Sequence, residues 1–152
     1  MEKSTGINGV IKIVLADDDS DDRDLFNEAM ELANPVIKVE MVQDGEELME
    51  YLNRNSSPDY IFLDLNMPRK SGKECLIEIQ ENIKLKDIPV IIYTTSLNPK
   101  DVEACSKGGA SHFMRKPNSF QELKIILHKF FQQTKGHNGL NIRDQFILNG
   151  NH

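Results

Sequence analysis

The chain has 152 residues, 39% of them hydrophobic, which is enough for one folded domain with its own core. Its net charge of −6 disfavours a nucleic-acid partner, because phosphate backbones recruit basic surfaces. Cys75 and Cys105 are too few for a disulfide scaffold or a cysteine-based zinc site, and no apolar run approaches the about 20 residues that span a bilayer. We therefore expect a cytoplasmic protein that has no membrane partner.

Acidic side chains are concentrated in one short segment. Residues 17–24 contain six aspartates and one arginine, which give a local charge of −5. The rest of the chain is therefore nearly neutral. Any account of function has to explain why so much negative charge lies in one place.

Five short apolar runs of β-forming residues lack a polar alternation, as expected for strands that are covered on both faces. They are Val10–Ala16, Val36–Val42, Tyr60–Leu63, Pro89–Tyr93 and His112–Met114. Each run is followed by a stretch with apolar residues at helical spacing. Asp44, Asn98 and Ser119 stand where N-terminal caps of the second, fourth and fifth helices are expected.

This order predicts an α/β protein with a doubly wound, five-stranded parallel sheet and helices on both faces, a three-layer sandwich of five βα units. We expect residues 9–133 to form the domain, with an N-terminal extension over residues 1–8. Residues 134–152 are rich in Gly and Asn, which predicts a flexible tail. Within that tail, Phe146, Ile147 and Leu148 are apolar enough to dock on the domain.

Polar residues stand at the ends of four of the predicted strands. Asp17 and Asp18 follow the first strand, Asp64 follows the third, Thr94 follows the fourth and Lys116 follows the fifth. The carboxyl ends of parallel strands meet at one edge of the sheet, where sites form in such folds. We therefore expect these side chains to converge.

These residue types together favour phosphoryl-transfer chemistry. Three neighbouring carboxylates repel one another unless a cation joins them, and Mg²⁺ prefers one or two carboxylates with waters and a phosphate oxygen. Lys116 adds positive charge and Thr94 adds a hydroxyl donor, which suits a phosphoryl group in transfer. One carboxylate could be the nucleophile and form an aspartyl phosphate.

Each of these residues, taken alone, also has an ordinary structural explanation. An aspartate run after a strand is usually solvated or placed at a helix N-terminus, where it interacts favourably with the helix dipole. We assign Asp19, Asp21, Asp22 and Asp24 to that class. The functional interpretation depends on all the polar residues falling at successive strand ends.

The sequence resembles the receiver domain of two-component response regulators over roughly residues 9–133. The resemblance rests on the acidic pair in residues 13–18 (IVLADD), on residues 61–68 (IFLDLNMP) with Gly72 following, and on residues 91–95 (IIYTT). It continues with residues 109–111 (GAS), which lead to Lys116 and Pro117. The family's fold is the flavodoxin-like version of the sandwich predicted above.

The resemblance implies a role for each matching residue. Asp64 would be the phosphoacceptor, and Thr94 and Lys116 would hold the phosphoryl oxygens. Mg²⁺ would bind directly to Asp18, Asp64 and the backbone carbonyl of Asn66, and through water to Asp17.

Two further roles concern the last strand. Phe113 would be the aromatic switch residue that responds as Thr94 moves toward the phosphoryl group. The peptide bond between Lys116 and Pro117 would be cis, which bonds preceding proline permit at modest cost.

No effector domain is expected after residue 133, so the resemblance implies a single-domain regulator, similar to the chemotaxis type or to those paired with phytochrome kinases. Such a protein is a phosphoprotein of a phosphorelay and not an enzyme, because it catalyses only its own phosphorylation and dephosphorylation. Its partners would be a sensor histidine kinase or phosphotransfer protein and an unknown downstream protein. It would be a monomer or a weak homodimer.

Three other functions stay open. The receiver fold could serve only as a constitutive docking module. A metal-dependent phosphohydrolase with an aspartate nucleophile is disfavoured because Asn66 stands where such enzymes carry an acidic proton donor. A flavodoxin-like nucleotide binder is disfavoured because the loop after the first strand is acidic, whereas phosphate-binding loops expose backbone N–H groups.

Overall fold

Six strands and five helices alternate along the parts of the chain that the computed structural model describes, residues 9–33, 36–54, 57–132 and 145–149. The elements are β1 (Ile11–Ala16), α1 (Ser20–Ala33), β2 (Ile37–Val42), α2 (Gly45–Arg54), β3 (Tyr60–Leu63), α3 (Gly72–Glu81), β4 (Val90–Thr94), α4 (Pro99–Lys107), β5 (His112–Arg115), α5 (Phe120–Gln132) and β6 (Ile147–Leu148). The predicted extension over residues 1–8 lies outside the described residues. None of the described helices combines the length and apolar character that a bilayer crossing needs.

The strands form one sheet in the order β2-β1-β3-β4-β5-β6, and every neighbouring pair is parallel. The predicted α/β class, the parallel sheet and the five helices are confirmed. The first five strands agree with the predicted runs to within one residue at each end. The apolar runs locate the strands well because helices cover both faces of the sheet and leave little room for polar residues.

Each central strand contributes to two separate cores. Ile13 and Leu15 of β1 pack with residues of α1 and α5, whereas Val14 and Ala16 pack with residues of α2, α3 and α4. This follows from the alternation of side chains along a strand. The helices therefore form two layers around the sheet, and the strand ends between them stay available for polar residues.

The predicted helix caps are present. Asp44 Oδ1 accepts a hydrogen bond from Glu47 N at 2.8 Å, and Asn98 Oδ1 accepts one from Lys100 N at 2.9 Å. Ser119 Oγ accepts one from Glu122 N at 3.1 Å. These contacts satisfy N–H groups that have no partner inside the helix, so they fix where each helix begins.

The structure adds a sixth strand to the predicted five-stranded sheet; the strand lies within the predicted tail, of which residues 134–144 and 150–152 are outside the described parts of the chain. Residues 147 and 148 lie beside Phe113 and Met114 of β5, and Phe113 N donates to Phe146 O at 2.8 Å. Leu148 is buried at 2% exposure, so the segment joins the core. The apolar residues of the tail thus cover the edge of β5, which would otherwise present unpaired backbone groups.

Candidate functional site

Three carboxylates meet at the carboxyl edge of the sheet, as the sequence predicted. Asp17, Asp18 and Asp64 offer oxygen atoms that all lie within 4.8 Å of one another. Backbone hydrogen bonds continue the sheet into this edge, since Asp17 N donates to Val42 O at 3.1 Å and Asp64 N donates to Ala16 O at 3.0 Å. The sheet therefore holds the backbone of two of the three aspartates.

The three carboxylates differ in burial. Asp17 is fully buried, Asp64 is 5% exposed and Asp18 lies on the surface. The pKa of Asp17 is raised to about 6, chiefly by burial and in smaller part by the nearby charge of Asp64, while contacts with Lys116 and Asp19 limit the rise. A buried carboxylate close to a second one is unfavourable in its charged form. A bound cation would therefore stabilise the charged forms of these three carboxylates.

These residues fit a divalent metal ion. Hard cations such as Mg²⁺ and Mn²⁺ prefer oxygen ligands, and the three carboxylates supply them. One ligand oxygen is poorly satisfied: the buried Asp17 Oδ2 lies 2.8 Å from Lys116 Nζ as an ion pair but accepts no directed hydrogen bond. The Asn66 backbone N–H donates to Asp64 Oδ1 at 3.2 Å, and a role of its carbonyl as metal ligand stays a prediction.

Lys116 is the cation of the site. Its Nζ lies 2.8 Å from Asp17 Oδ2 and donates to Asp64 Oδ2 at 3.2 Å. Burial alone would lower the pKa of Lys116, but the ion pair with Asp17, the hydrogen bond to Asp22 and the charge of Asp64 outweigh it, so the pKa is raised. Lys116 therefore stays charged at neutral pH.

Thr94 reaches the same carboxylate from β4. Its Oγ1 donates to Asp64 Oδ1 at 3.0 Å, and the residue is 1% exposed. Lys116 N donates to Thr94 O, which fixes the end of β5 beside the end of β4. Asp64 thus receives a hydroxyl hydrogen bond on one oxygen and an ammonium hydrogen bond on the other.

Asp22 lies in the first turn of α1, within the predicted class, but it also contacts the site, which the prediction did not include. Its Oδ2 accepts a hydrogen bond from Lys116 Nζ at 2.8 Å. The sequence carries one signal for this position: Asp22 lies in the first turn of a helix that begins three residues after Asp17. Asp21 and Asp24 are exposed, in agreement with the prediction.

The predicted cis bond between Lys116 and Pro117 is wrong, because no peptide bond in the described parts of the chain is cis. The trans form of a bond preceding proline is favoured by about 0.5–1 kcal/mol, and the Lys116 amide keeps its sheet hydrogen bond with a trans bond after it. With this trans bond, the Lys116 side chain still reaches the carboxylates of Asp17 and Asp64.

Phe113, the predicted switch residue, is fully buried in β5. Its ring centroid lies 6.4 Å from that of Phe146, which precedes β6. The backbone carbonyl of Phe146 also accepts a hydrogen bond from the N–H of Phe113, so the residue before β6 is in direct contact with Phe113. Its role as a switch stays a prediction.

Gly72, the first residue of α3, lies against the backbone of Asp64. A Cβ atom there would come 2.2 Å from Asp64 O, which is much closer than any real contact. We expect Gly72→Ala to lower the free energy of unfolding by about 1–3 kcal/mol, as measured by urea denaturation, because the backbone around Asp64 must move.

Glu81→Ala in the same helix is the matched control, because Glu81 is exposed and its replacement should change stability by about 0.5 kcal/mol or less. Equal denaturation midpoints for Gly72→Ala and the unmodified protein would show that stability does not depend on the close approach of residue 72 to the backbone of Asp64.

The comparisons with known proteins agree with this geometry. The chain is 32% identical over 117 residues to response regulator Rcp1 of Synechocystis sp., covering 73% of this chain and 80% of that protein. It is 28% identical over 131 residues to the probable methanogenesis regulatory protein FilR2 of Methanothrix harundinacea, covering 83% of this chain and 84% of that protein.

Two solved structures are also similar. The phosphorylated cyanobacterial phytochrome response regulator RcpA matches with a TM-score of 0.74 and 34% identity, over 78% of this chain and 89% of that chain. The Mn²⁺-bound form of Rcp1 matches with a TM-score of 0.73 and 30% identity, over 83% of this chain and 97% of that chain. The family model described as response regulator receiver domain matches residues 13–128. The chain therefore belongs to the receiver domains of two-component response regulators.

Proposed function

We propose that this receiver domain accepts a phosphoryl group on Asp64 from the phosphohistidine of a histidine kinase or phosphotransfer protein, with Mg²⁺ bound by the acidic group. The observation that carries the proposal is the placement of Asp64 between Thr94 and Lys116, next to Asp17 and Asp18. The similar proteins whose structures are described as phosphorylated or Mn²⁺-bound support it.

In the proposed reaction, a carboxylate oxygen of Asp64 attacks the phosphorus atom of the phosphohistidine. The new O–P bond forms as the P–N bond breaks, and the departing imidazole nitrogen takes up a proton from water. Lys116 and Thr94 already lie at hydrogen-bond distance from the two Asp64 oxygens, so they can pass to phosphoryl oxygens with little movement. This is positioning and charge stabilisation, the two contributions that phosphoryl transfer requires.

Mg²⁺, when bound by Asp17, Asp18, Asp64 and the Asn66 carbonyl, would supply the positive charge that lets a phosphoryl group enter so acidic a site. This would explain part of the negative charge concentrated in residues 17–24. Two of the aspartates in that segment belong to a cation site that is completed by Asp64 from another strand.

We further propose that phosphorylation is read out through Thr94 and Phe113. Thr94 donates a hydrogen bond to Asp64, the proposed phosphoacceptor. Phe113 lies on the neighbouring strand, and its ring is close to that of Phe146. A movement of Thr94 toward the phosphoryl group would alter the packing between β4 and β5 and so the surface of α4, β5 and β6. A downstream protein would recognise that surface, which is how a local charge change biases a two-state element.

The experiment is incubation of the purified protein with Mg²⁺ and phosphoramidate, followed by intact mass spectrometry and peptide mapping. We expect the mass of one phosphoryl group to be added, to map to Asp64 and to depend on Mg²⁺. No added phosphoryl group would favour a constitutive docking module. Repeated turnover of phosphate monoesters would favour a phosphohydrolase.

Asp18→Ala should weaken Mg²⁺ binding at least about 10- to 100-fold, the loss that follows even from removing partners of metal ligands. Asp18 is the exposed member of the three carboxylates, so its replacement leaves no buried group unpaired. Isothermal titration calorimetry measures the affinity.

Asp24→Ala is the control, because Asp24 is an exposed aspartate of the same acidic segment. We expect its Mg²⁺ affinity to stay within about twofold of the unmodified protein, since exposed charges outside the site are screened. Equal losses in the two variants would mean that net charge, and not ligation by Asp18, determines Mg²⁺ binding.

A further inference from the structure

Asp22 connects helix α1 to the lysine of the site. Its Oδ2 accepts a hydrogen bond from Lys116 Nζ at 2.8 Å, across 94 residues of sequence. The Lys116 side chain is 9% exposed and that of Asp22 is 30% exposed. The pair is therefore partly shielded from water, unlike the exposed pairs that contribute little to stability.

The partners of Lys116 fall into two groups. An ammonium has three N–H donors, and three carboxylates surround this one, those of Asp17, Asp22 and Asp64. Asp17 and Asp64 belong to the cation site, whereas Asp22 does not. A metal ion bound to that site draws on the oxygens of Asp17 and Asp64, and phosphorylation turns the Asp64 carboxylate into an acyl phosphate, whose negative charge lies on the phosphoryl oxygens. Of the three carboxylates around Lys116, Asp22 is then the one that neither the metal ion nor the phosphoryl group engages.

We infer that Asp22 is a positioning residue for phosphoryl transfer: it holds the Lys116 ammonium beside Asp64 when the metal ion and the phosphoryl group engage the other two carboxylates. Asp22 does not touch the reacting atoms and acts through Lys116. The inference rests on the proposed function.

The physical reason is the flexibility of the lysine. Its ammonium sits at the end of four rotatable bonds, and ordering such a side chain costs conformational entropy. The contact with Asp22 and the ring of Tyr93, whose centroid is 5.4 Å from Lys116 Nζ, are the described contacts of this ammonium outside the cation site. The ring alone gives the ammonium no hydrogen-bond acceptor, so loss of Asp22 leaves its position poorly defined.

A double-mutant cycle tests this inference. The initial rate of Asp64 phosphorylation by phosphoramidate is measured at saturating Mg²⁺ for the unmodified protein, Asp22→Ala, Lys116→Met and the double variant. We expect Asp22→Ala to be slower by about fivefold to twentyfold, a coupling of the size seen for contacting residues. In the Lys116→Met background the same replacement should change the rate by less than about twofold.

Asp21→Ala is the matched control, because Asp21 is an exposed aspartate in the same first turn and its loss weakens the helix-dipole interaction equally. We expect its rate to stay within about twofold of the unmodified protein. A second measurement, ¹⁵N NMR of the lysine ammonium groups with Mg²⁺ bound, should show the hydrogen-bonded Lys116 signal in the unmodified protein and its loss in Asp22→Ala.

An unchanged or faster rate for Asp22→Ala, or an equal slowing in both Lys116 backgrounds, overturns the inference. So does an unaltered Lys116 signal. The failure of the proposed function looks different: the unmodified protein would then gain no phosphoryl group on Asp64 at all. The two ideas can therefore fail separately.

Discussion

Asp64→Asn is expected to abolish phosphorylation completely. The carboxylate of Asp64 is the nucleophile in the proposed reaction, and the amide that replaces it is uncharged and a poor nucleophile for phosphorus. Intact mass spectrometry after incubation with Mg²⁺ and phosphoramidate should show no added phosphoryl group. Any product would be at least about a thousandfold slower, in the range found when a nucleophile is removed.

The replacement should leave the fold intact. The amide oxygen can still accept the Thr94 hydrogen bond that Asp64 Oδ1 accepts, and Lys116 keeps Asp17 and Asp22 as partners. We therefore expect an unchanged circular dichroism spectrum and no loss of stability without Mg²⁺, because one of several repelling carboxylates is gone. A loss of phosphorylation then cannot be attributed to unfolding.

Asp87→Asn is the control, since Asp87 is an exposed aspartate just before the amino end of β4, whereas Asp64 follows the carboxyl end of β3. It should be phosphorylated at the rate of the unmodified protein. If Asp64→Asn still gained a phosphoryl group at an unchanged rate, the acceptor would be another residue, and peptide mapping would examine Asp17 and Asp18 first.

Most of the fold could be predicted because two physical patterns are local. Apolar runs mark strands covered on both faces, and helical spacing marks the crossovers between them. The strand β6 was outside the reach of these patterns. It has two residues, and its pairing depends on the position of Phe113, which lies 34 residues earlier in the chain than Ile147.

The site could be predicted as far as it follows from the strand ends. Asp17, Asp64, Thr94 and Lys116 converge because parallel strands present their carboxyl ends at one edge. The contact between Asp22 and Lys116 could not be predicted in the same way, since their distance depends on how α1 leaves the sheet. The isomer of the Lys116–Pro117 bond could not be derived either, because the two forms differ little in energy.

Lys116→Met should slow phosphorylation of Asp64 by about 100- to 1000-fold, the effect of removing one group that stabilises charge in a transition state. The ammonium lies 3.2 Å from Asp64 Oδ2 and also forms ion pairs with Asp17 and Asp22. The rate is measured with phosphoramidate at saturating Mg²⁺. Lys86→Met, at an exposed lysine, should leave it unchanged.

The same variant should be less stable without Mg²⁺ at neutral pH, by up to about 3–5 kcal/mol, because it leaves buried carboxylates without their cation. The pKa of Asp17, already raised by burial to about 6 from 3.8, should rise further. A group whose folded-state pKa exceeds its unfolded value favours folding when protonated, so the lost stability should return as the pH falls through that raised pKa. Urea denaturation between pH 5 and 8 measures this recovery.

Mg²⁺ affinity separates the two roles that Lys116 could have. The ammonium competes with a metal ion for Asp17 and Asp64, so its removal should leave Mg²⁺ binding as tight as before or make it tighter. A slow reaction in a variant that binds Mg²⁺ well assigns Lys116 to the phosphoryl group. Weaker Mg²⁺ binding would instead mean that Lys116 orders the carboxylates for the metal, and a normal rate with normal stability would remove Lys116 from the mechanism.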